Sequence, residues 1–478
     1  MERAPKGSSL ARALDAMRGA LAPQDALQLL MMLVPLRHKA DAERVDEKGD
    51  HTGALPAWDA LLARDLWNRS GHEVMSEALR GLEAWGSRHF RLPDLPPALV
   101  DVRGPQLAPL IECVAAAPDP AALFEECMEQ AQTTAKGGDY YTPLDIARLL
   151  TALMEPQAGE AVYDPVCGSG GFLLRAREFV EAHGGAAGEP ALYGQDASRT
   201  ALQTAAMNFT VHGVEGVYLQ GPSSTLTDDR FPDLMFDVVV ANPPFNQFGW
   251  DEGGHGRYNR PWRYGIPPAG NANFAWVQHV VSKMMPSGRG RGVLLLPTGA
   301  AATSKPAERQ IRARLVEDDV LSCVIELPAG LLPHVRNPVS LWLFTRSKKP
   351  RQGWGHEDRS GRILLIDARD TAAKVGRGRR ALPDGARSRI ISTFAAWRGA
   401  PGQALYEDVP GWCRSLSTQE IAAHDHDVLP SHHVGLPAAE SAHGDGEELV
   451  ADLTHELYSL FETSRHLEAE LRDLLGRW

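Results

Sequence analysis

Between about Gly137 and Lys349, short apolar runs of strand length alternate with segments of helical character, and that alternation limits the fold more than any other feature. The runs are EAVYDPVC, ALYGQD, FDVVVANPP, GVLLLP, VLSCVIELP and SLWLFTR. Strands separated by helices pair through crossovers, so the expected class is α/β, a mostly parallel sheet with helices on both faces. Sheets of this kind bind ligands beyond the carboxyl ends of their strands. Several of these runs end there in residues capable of chemistry. GRILLIDARD, near Asp367, predicts a further strand in the following segment, which is rich in Arg, Gly and Pro.

The flanks read differently. From about Leu10 to Lys136 the stretch LARALDAMRGALAPQDALQLLMMLVPLRHKAD has apolar residues at spacings of three and four, interrupted at Pro23 and Pro35. It predicts a helical accessory domain with no catalytic constellation. In the tail Leu453, Leu457, Leu460, Ser464, Leu467, Leu471, Leu474 and Trp478 follow alternating steps of four and three, with Glu456, Glu468 and Glu470 outside that seam. This is the pattern of a coiled-coil or bundle helix, and a partner helix is the expected occupant of the seam. At 478 residues the chain exceeds one ordinary domain. The expected division is a helical domain over 1–135, the α/β domain over 136–350, a basic, loop-rich extension over 351–440 and a docking helix over 441–478.

Composition removes several classes. No apolar run approaches the roughly 18 residues of a membrane span, and the first twenty residues lack the apolar centre of a secretory signal, so a cytoplasmic protein is expected. The five cysteines are scattered and form no CxxC pair, which favours free thiols over disulfides or zinc. A net charge of −12 argues against a chain that coats nucleic acid by itself, though not against contact through a local basic face or a partner. From Arg346 to Arg389 thirteen Lys/Arg stand against five Asp/Glu, either such a face or a solvated basic loop.

Two constellations carry the chemistry. In AVYDPVCGSGGFLLRA a strand ends at Asp164, and Cys167, Gly168, Ser169, Gly170 and Gly171 lead into a helix. Glycines there permit a tight turn and close approach to a ligand, while the helix start presents free N–H groups. The next run delivers Asp196, 26 residues beyond Gly170, where an acid can accept both hydroxyl hydrogens of a ribose. Alone, this pair indicates only a nucleoside-type cofactor.

In FDVVVANPPFNQFGW a buried strand runs into Asn242, Pro243, Pro244 and Phe245. A proline-rich turn is one reading. The other is specific, because a residue before proline is held extended and both Asn242 and Pro243 are stiff. The Asn242 amide oxygen and the Pro243 carbonyl could accept the two hydrogens of an exocyclic amine, directing its lone pair at the methyl of a sulfonium. Phe245 offers a face for stacking a base. Positioning alone can lower a barrier by about 7–11 kcal/mol, and a base inside a duplex must be flipped out to arrive. Upstream, in GGDYYTPLDIARLL, Thr142 and Pro143 could cap a helix. Alternatively Thr142 lies near the cofactor's amino-acid end and Tyr140 or Tyr141 near its cation.

YTP before DPVCGSGGF before NPPF resembles the gamma class of amino-group DNA methyltransferases. Over nearly its whole length the chain is similar to the modification subunit of type I restriction-modification systems. RYGIPPAGNANFAWVQHVV, GRGVLLLPTG, NPVSLWLFTRSK and IAAHDHDVLPSHHV carry the likeness beyond the motifs. The resemblance implies a Rossmann-like sheet dependent on S-adenosyl-L-methionine, with an N-terminal helical domain and a C-terminal coiled-coil-like helix. It implies N6-adenine methylation of double-stranded DNA at Asn242, Pro243, Pro244 and Phe245. Tyr141, Thr142, Pro143, the Ser169-Gly170-Gly171 turn and Asp196 become the cofactor contacts. The implied partners are a specificity subunit, often one to two modification chains, and a restriction subunit for cleavage. About 130 residues follow the last of the listed strands, leaving no room for an ordinary target-recognition domain.

Two departures stand out. The family's Gly-Asp after the third strand is Gly221-Pro222 here, and its usual Glu after GQ is the shorter Asp196. No metal site is expected, because His424, His426, His432 and His433 follow mixed spacing. The rival readings are a protein or RNA methyltransferase, a non-catalytic scaffold of a defence complex, and a defence system that marks self DNA without a nuclease.

Overall fold

The computed structural model describes residues 8–45, 53–63, 68–83, 93–134, 142–184, 189–251, 254, 262–332, 335, 337–374, 380–436, 454, 458–462 and 464. Met1–Val434 forms one compact unit and Gly435–Trp478 a second. Most of the second, including the seam residues other than Leu460 and Ser464, lies outside the described residues; within it Tyr458, Leu460 and Phe461 are helical and exposed. Among the described residues no helix is long and apolar enough to cross a membrane.

The first unit begins with helices α1 (Ser9–Ala16), α2 (Pro23–Val45), α3 (Ala54–Ala63), α4 (Gly71–Glu83), α5 (Ala108–Ala115) and α6 (Pro120–Thr134). Pro23 opens α2, where its missing N–H costs nothing. Pro35 was expected to break the helix, yet α2 runs through it. An interior proline costs about 3 kcal/mol. Here ten side chains of α2, Pro35 included, are buried, and at about 1.5–3 kcal/mol for each large apolar one the burial outweighs the kink.

The α/β part follows: α7 (Leu144–Met154), β1 (Ala161–Asp164), α8 (Gly171–Ala182), β2 (Ala191–Gln195), α9 (Arg199–Val211), β3 (Tyr218–Gln220), β4 (Val238–Ala241), α10 (Asn273–Lys283), β5 (Arg291–Pro297), α11 (Pro306–Glu317), β6 (Leu321–Leu327) and β7 (Val339–Thr345). Then come β8 (Arg362–Asp367), β9 (Ala373–Lys374), β10 (Arg380–Ala381), α12 (Asp384–Trp397), β11 (Cys413–Ser417) and α13 (Thr418–Ala423). Nine strands form one sheet in the order β11-β8-β6-β7-β5-β4-β1-β2-β3. β7 runs antiparallel to β5 and β6, and β11 antiparallel to β8; the remaining pairs are parallel. All seven residues of β6 and of β7 are buried, which is why these strands read as unbroken apolar runs rather than alternating ones.

The sheet does not stop at SLWLFTR. GRILLIDARD is β8, paired with β6 from Cys323↔Leu364 to Glu326↔Asp367, and β11 closes that edge. Segment 351–440, expected to be loop-rich, thus supplies two strands and α12 to the main layer.

Several basic residues from Arg346 onward are also committed to partners within the protein. Arg346 donates to the Val281 carbonyl at 2.5 Å, Lys348 to the Arg362 carbonyl at 2.7 Å and Arg362 to the Ser415 carbonyl at 2.8 Å. Arg389 lies 3.8 Å from the Trp412 ring centre, and Arg369 is held by both oxygens of Asp367. In the antiparallel pair β9–β10, Lys374 and Arg380 sit directly opposite each other and exposed. Like charges so paired repel.

At the far end of the strands, buried Arg291 grips both oxygens of Glu160, at 3.0 and 2.6 Å, and the carbonyls of Met154 and Glu155 at 2.5 and 2.8 Å. This fastens the end of α7 to β5 and to the start of β1. A buried pair of this kind costs about 3–5 kcal/mol when one partner is removed.

Candidate active site

Strands β4, β1 and β2 are neighbours and parallel, so their carboxyl ends open side by side. Each delivers one chemical residue there: Asn242 after β4, Asp164 at the end of β1 and Asp196 after β2. Sequence order turns back across this point, which is where such sheets form a crevice. A cavity of about 490 Å³ opens over it.

The turn after β1 is built from its own backbone. Gly170 N–H donates to the Cys167 carbonyl at 2.8 Å, and Cys167 N–H to the Gln195 carbonyl at 3.0 Å. Gly168 N–H donates to Asp196 Oδ2 at 2.9 Å, while Asp196 Oδ1 accepts from Ser198 N–H at 2.8 Å. Asp196 therefore clamps the glycine turn to the start of α9. Gly170 has φ 75°, and a Cβ there would stand 2.5 Å from Cζ of Phe209, so only glycine fits.

The loop after β3 is pinned by fully buried Gln195, which donates to the Asp228 carbonyl at 2.7 Å and to Ser223 Oγ at 3.2 Å. The Gly221–Pro222 peptide is cis. Gly221, at φ 134°, passes so near the Asp196 carbonyl that a Cβ would meet it at 2.3 Å. The cavity wall beyond Pro222 is formed by Ser224 and Thr225.

Asp164 is buried and caps Val166 N–H at 3.0 Å. Burial pushes its carboxyl up to about 8, opposed by that hydrogen bond and reinforced by the charge of Asp196.

Asn242 makes the contact that sequence reading missed. Its Nδ2 donates to Thr142 Oγ1 at 2.9 Å, and the cap of α7 falls on Pro143, with no side-chain bond. Thr142 therefore does not cap the helix; it orients the amide. With Nδ2 occupied, Oδ1 is turned the other way and takes no bond from the described residues, and neither does the Pro243 carbonyl. Both acceptors of the Asn242–Pro243 pair are thus without a donor among the described residues.

Of the residues singled out from sequence, Gly168, Ser169, Asp196, Asn242 and Pro244 line the cavity. Asp164, Cys167, Gly170, Gly171, Thr142, Pro143 and Pro243 form its frame, and Phe245 is half-buried against the sheet core. Tyr140 and Tyr141 lie outside the described residues. The cavity also holds residues not anticipated. Gln247 and Trp276 also line it, and among the described residues Gln247 Oε1 is buried without a partner. From the helical region come Gln24, Gln28 and Met31 of α2, with Met128 and Ala131 of α6. That region was expected to stand apart from the chemistry and instead forms a wall. Its only trace in the sequence is the spacing of Gln24, Gln28 and Met31, one stripe of α2.

The fit to a nucleoside-sulfonium cofactor rests on these features: a glycine turn whose Gly168 and Ser169 line the cavity, the Asp196 carboxylate beside it, and room for a nucleoside and an adjoining base. Among the described residues no group of three or more His, Cys, Asp or Glu side chains is placed to hold a metal ion. His432 and His433 instead bond to the side chain and backbone of Asp427 at 2.7 and 3.0 Å. All five cysteines are buried and unpaired.

Comparison with known proteins gives the same direction. The family model N-6 DNA Methylase matches residues 121–442. The type I restriction enzyme HindI methylase subunit of Haemophilus influenzae is 33% identical over 71% of this chain and 73% of its own length. The MjaIX methylase subunit of Methanocaldococcus jannaschii is 29% identical over 71% of this chain, which spans 59% of that protein. The type I restriction-modification methyltransferase subunit from Streptococcus thermophilus superposes with a TM-score of 0.69 at 20% identity, covering 89% of this chain and 98% of that one. At that identity the likeness is one of fold.

Proposed function

Because the chain belongs to the N-6 DNA methylase family, we propose that it transfers the methyl group of S-adenosyl-L-methionine to the N6 amino group of an adenine flipped out of double-stranded DNA. The setting we propose is the modification subunit of a type I restriction-modification complex. The observation that carries the reading is the pair of open acceptors, Asn242 Oδ1 and the Pro243 carbonyl, fixed by the bond from Asn242 Nδ2 to Thr142.

Gly168 and Ser169 would cradle the cofactor, Asp196 would take its ribose hydroxyls and Asp164, buried beneath the glycine turn, would offset its positive charge. The cofactor supplies an electrophilic methyl on sulfur. Asn242 Oδ1 and the Pro243 carbonyl hold the two amine hydrogens, so the nitrogen lone pair points along the line of attack. With the cofactor bound, the N–C bond would form as the S–C bond breaks, and the amine would shed one proton to solvent. No strong base is needed before attack, because that proton becomes acidic only as the methyl arrives. Phe245 backs Asn242 from the core side and is proposed as the stacking face once the base enters.

Pro222 removes the acid that the family places after the third strand. Ser224 and Thr225 line the cavity there, and because the Thr225 hydroxyl is spent on the Pro165 carbonyl, Ser224 is proposed to take over that contact. The specificity chain is proposed to dock on the C-terminal segment, whose four-and-three seam and exposed Tyr458, Leu460 and Phe461 suit a partner helix. A cytoplasmic location follows from the same reading, as does division of labour among segments 1–135, 136–350, 351–440 and 441–478.

The test is modified-base sequencing of DNA from cells expressing the chain with and without a specificity chain. N6-methyladenine at one motif, lost in Asn242→Ala while folding and cofactor binding persist, is the expected result. Full activity in that variant would refute the assignment of the site.

A further inference from the structure

The loop beyond Asn242 carries a side chain that methyl transfer as described does not use. Phe248 is 85% exposed, although the backbone on both sides of it is held fast. On one side Asn246 sits in the left-handed region at φ 52°. Its N–H donates to Asn273 Oδ1 at 2.9 Å, and its Oδ1 accepts from Asn271 and Asn273 at 3.2 and 3.0 Å. The Gln247 carbonyl accepts from Ala272 N–H at 3.1 Å. On the other side Gly249 turns at φ 65°, and Trp250 is buried with its indole N–H donating to the Pro268 carbonyl at 3.0 Å. Three asparagines and a tryptophan thus form a clasp that holds a phenylalanine out in solvent, its ring over Gly270. Single exposed apolar residues are common on surfaces. This one stands next to Gln247, a wall residue of the cavity that Asn242 also lines.

A base can enter that cavity only by leaving the stack, and the duplex then has a gap where the base was. Apolar side chains inserted between base steps offset such unstacking. We propose that Phe248 is a wedge that enters the duplex beside the target adenine and fills the space it vacates, an inference that rests on the adenine-methyltransferase reading. The clasp holds the ring in place with little packing beyond Gly270, which leaves most of it for the base stack. A fixed mount also spares the entropy of ordering the loop backbone on binding.

The test uses the full chain with its specificity chain and duplexes bearing the motif it methylates. In one set the target is 2-aminopurine, whose emission rises when it unstacks; in another the target adenine faces either thymine or an abasic site. Phe248→Ala is expected to reduce the 2-aminopurine signal and to slow single-turnover methylation of the paired duplex by roughly 10- to 100-fold, the range that stacking on an aromatic ring supplies. The abasic duplex, already open, should be methylated at the wild-type rate, and Phe248→Trp should restore the paired one. Equal losses on both duplexes, or no loss on the paired one, would overturn the wedge. If the wild-type protein methylates neither duplex, the enzymatic reading fails and the wedge that rests on it falls too; wild-type methylation of both duplexes with the outcomes just named overturns the wedge alone.

Discussion

Replacing Thr142 with valine keeps its shape and removes one atom's function. The bond from Asn242 Nδ2 to Thr142 Oγ1 is 2.9 Å long and partly buried. Without the hydroxyl, that donor is left unmatched, at a cost of about 1–3 kcal/mol. The amide also loses its reason to keep Oδ1 toward the substrate, and the flipped amide would set an N–H against the amine it should hold. If the whole penalty falls on the transition state, transfer slows by roughly 5- to 150-fold, since about 1.4 kcal/mol is a factor of ten. Single-turnover transfer of labelled methyl, with calorimetric titration of the cofactor, separates the effects. Thr142→Val should lower the rate constant and leave cofactor affinity near wild type, and Thr142→Ser should retain the rate. Adding Thr142→Val to Asn242→Ala should cost nothing more, because the two act as one unit. A Thr142→Val enzyme with an unchanged rate constant, or one that loses only cofactor affinity, would refute the orienting role.

Other outcomes follow from the same geometry. The Asp164 carboxyl, pushed up to about 8 by burial, must lose its proton to face a cation. Cofactor affinity should therefore rise by up to about tenfold per pH unit toward pH 8 and level off above it, a slope that Asp164→Asn removes in titrations at several pH values. Because the folded carboxyl holds its proton more tightly than the unfolded one, the ligand-free protein should lose Tm as pH climbs from about 4 through 8, and Asp164→Asn should blunt that loss. Gly170→Ala forces a Cβ to 2.5 Å from Phe209 at φ 75°. Strain and overpacking together should cost about 2–4 kcal/mol in urea denaturation, and Phe209→Leu in that background should recover part of it. Lys374→Ala with Arg380→Ala removes the opposed cations of the β9–β10 pair. If both meet phosphates, the salt slope of duplex binding falls by about two; an unchanged slope would show that they do not.

The parts of the site that lie in consecutive residues were legible in the sequence. Asp164 through Gly171 had to form a strand, a glycine turn and a helix, and NPPF had to end a strand, because local chemistry alone demands it. Thr142 was visible as a residue but not as the partner of Asn242, one hundred positions away. A hydrogen bond between two loops is set by how strands order in the sheet, and pairing order is not written locally. Gln24, Gln28 and Met31 were hidden for a related reason: a polar stripe on a helix marks a side away from its core without saying what covers it. The basic run from Arg346 misled in the opposite direction. Arginines that reach into carbonyls and onto tryptophan rings look the same in sequence as arginines that meet solvent. Pro35 broke the expected rhythm of α2, and tertiary burial overrode it.

Helix α9 ties these regions together in a way that bears on how such a protein can be cut or rebuilt. Leu202, Ala205 and Phe209 face the sheet, whereas Met207 and Val211 belong to the core of the helical region. One helix is thus shared between two hydrophobic interiors, and its first turn, through Ser198, carries Asp196. A minimal methylase trimmed to the sheet and its motifs would keep every residue that touches substrate and still bare the outer flank of α9 to water. The smallest transplantable piece is larger than the smallest chemical one. Any scheme that swaps the helical region between relatives must carry a matched α9 with it, or the cofactor's ribose clamp will be set by a helix packed against the wrong neighbour.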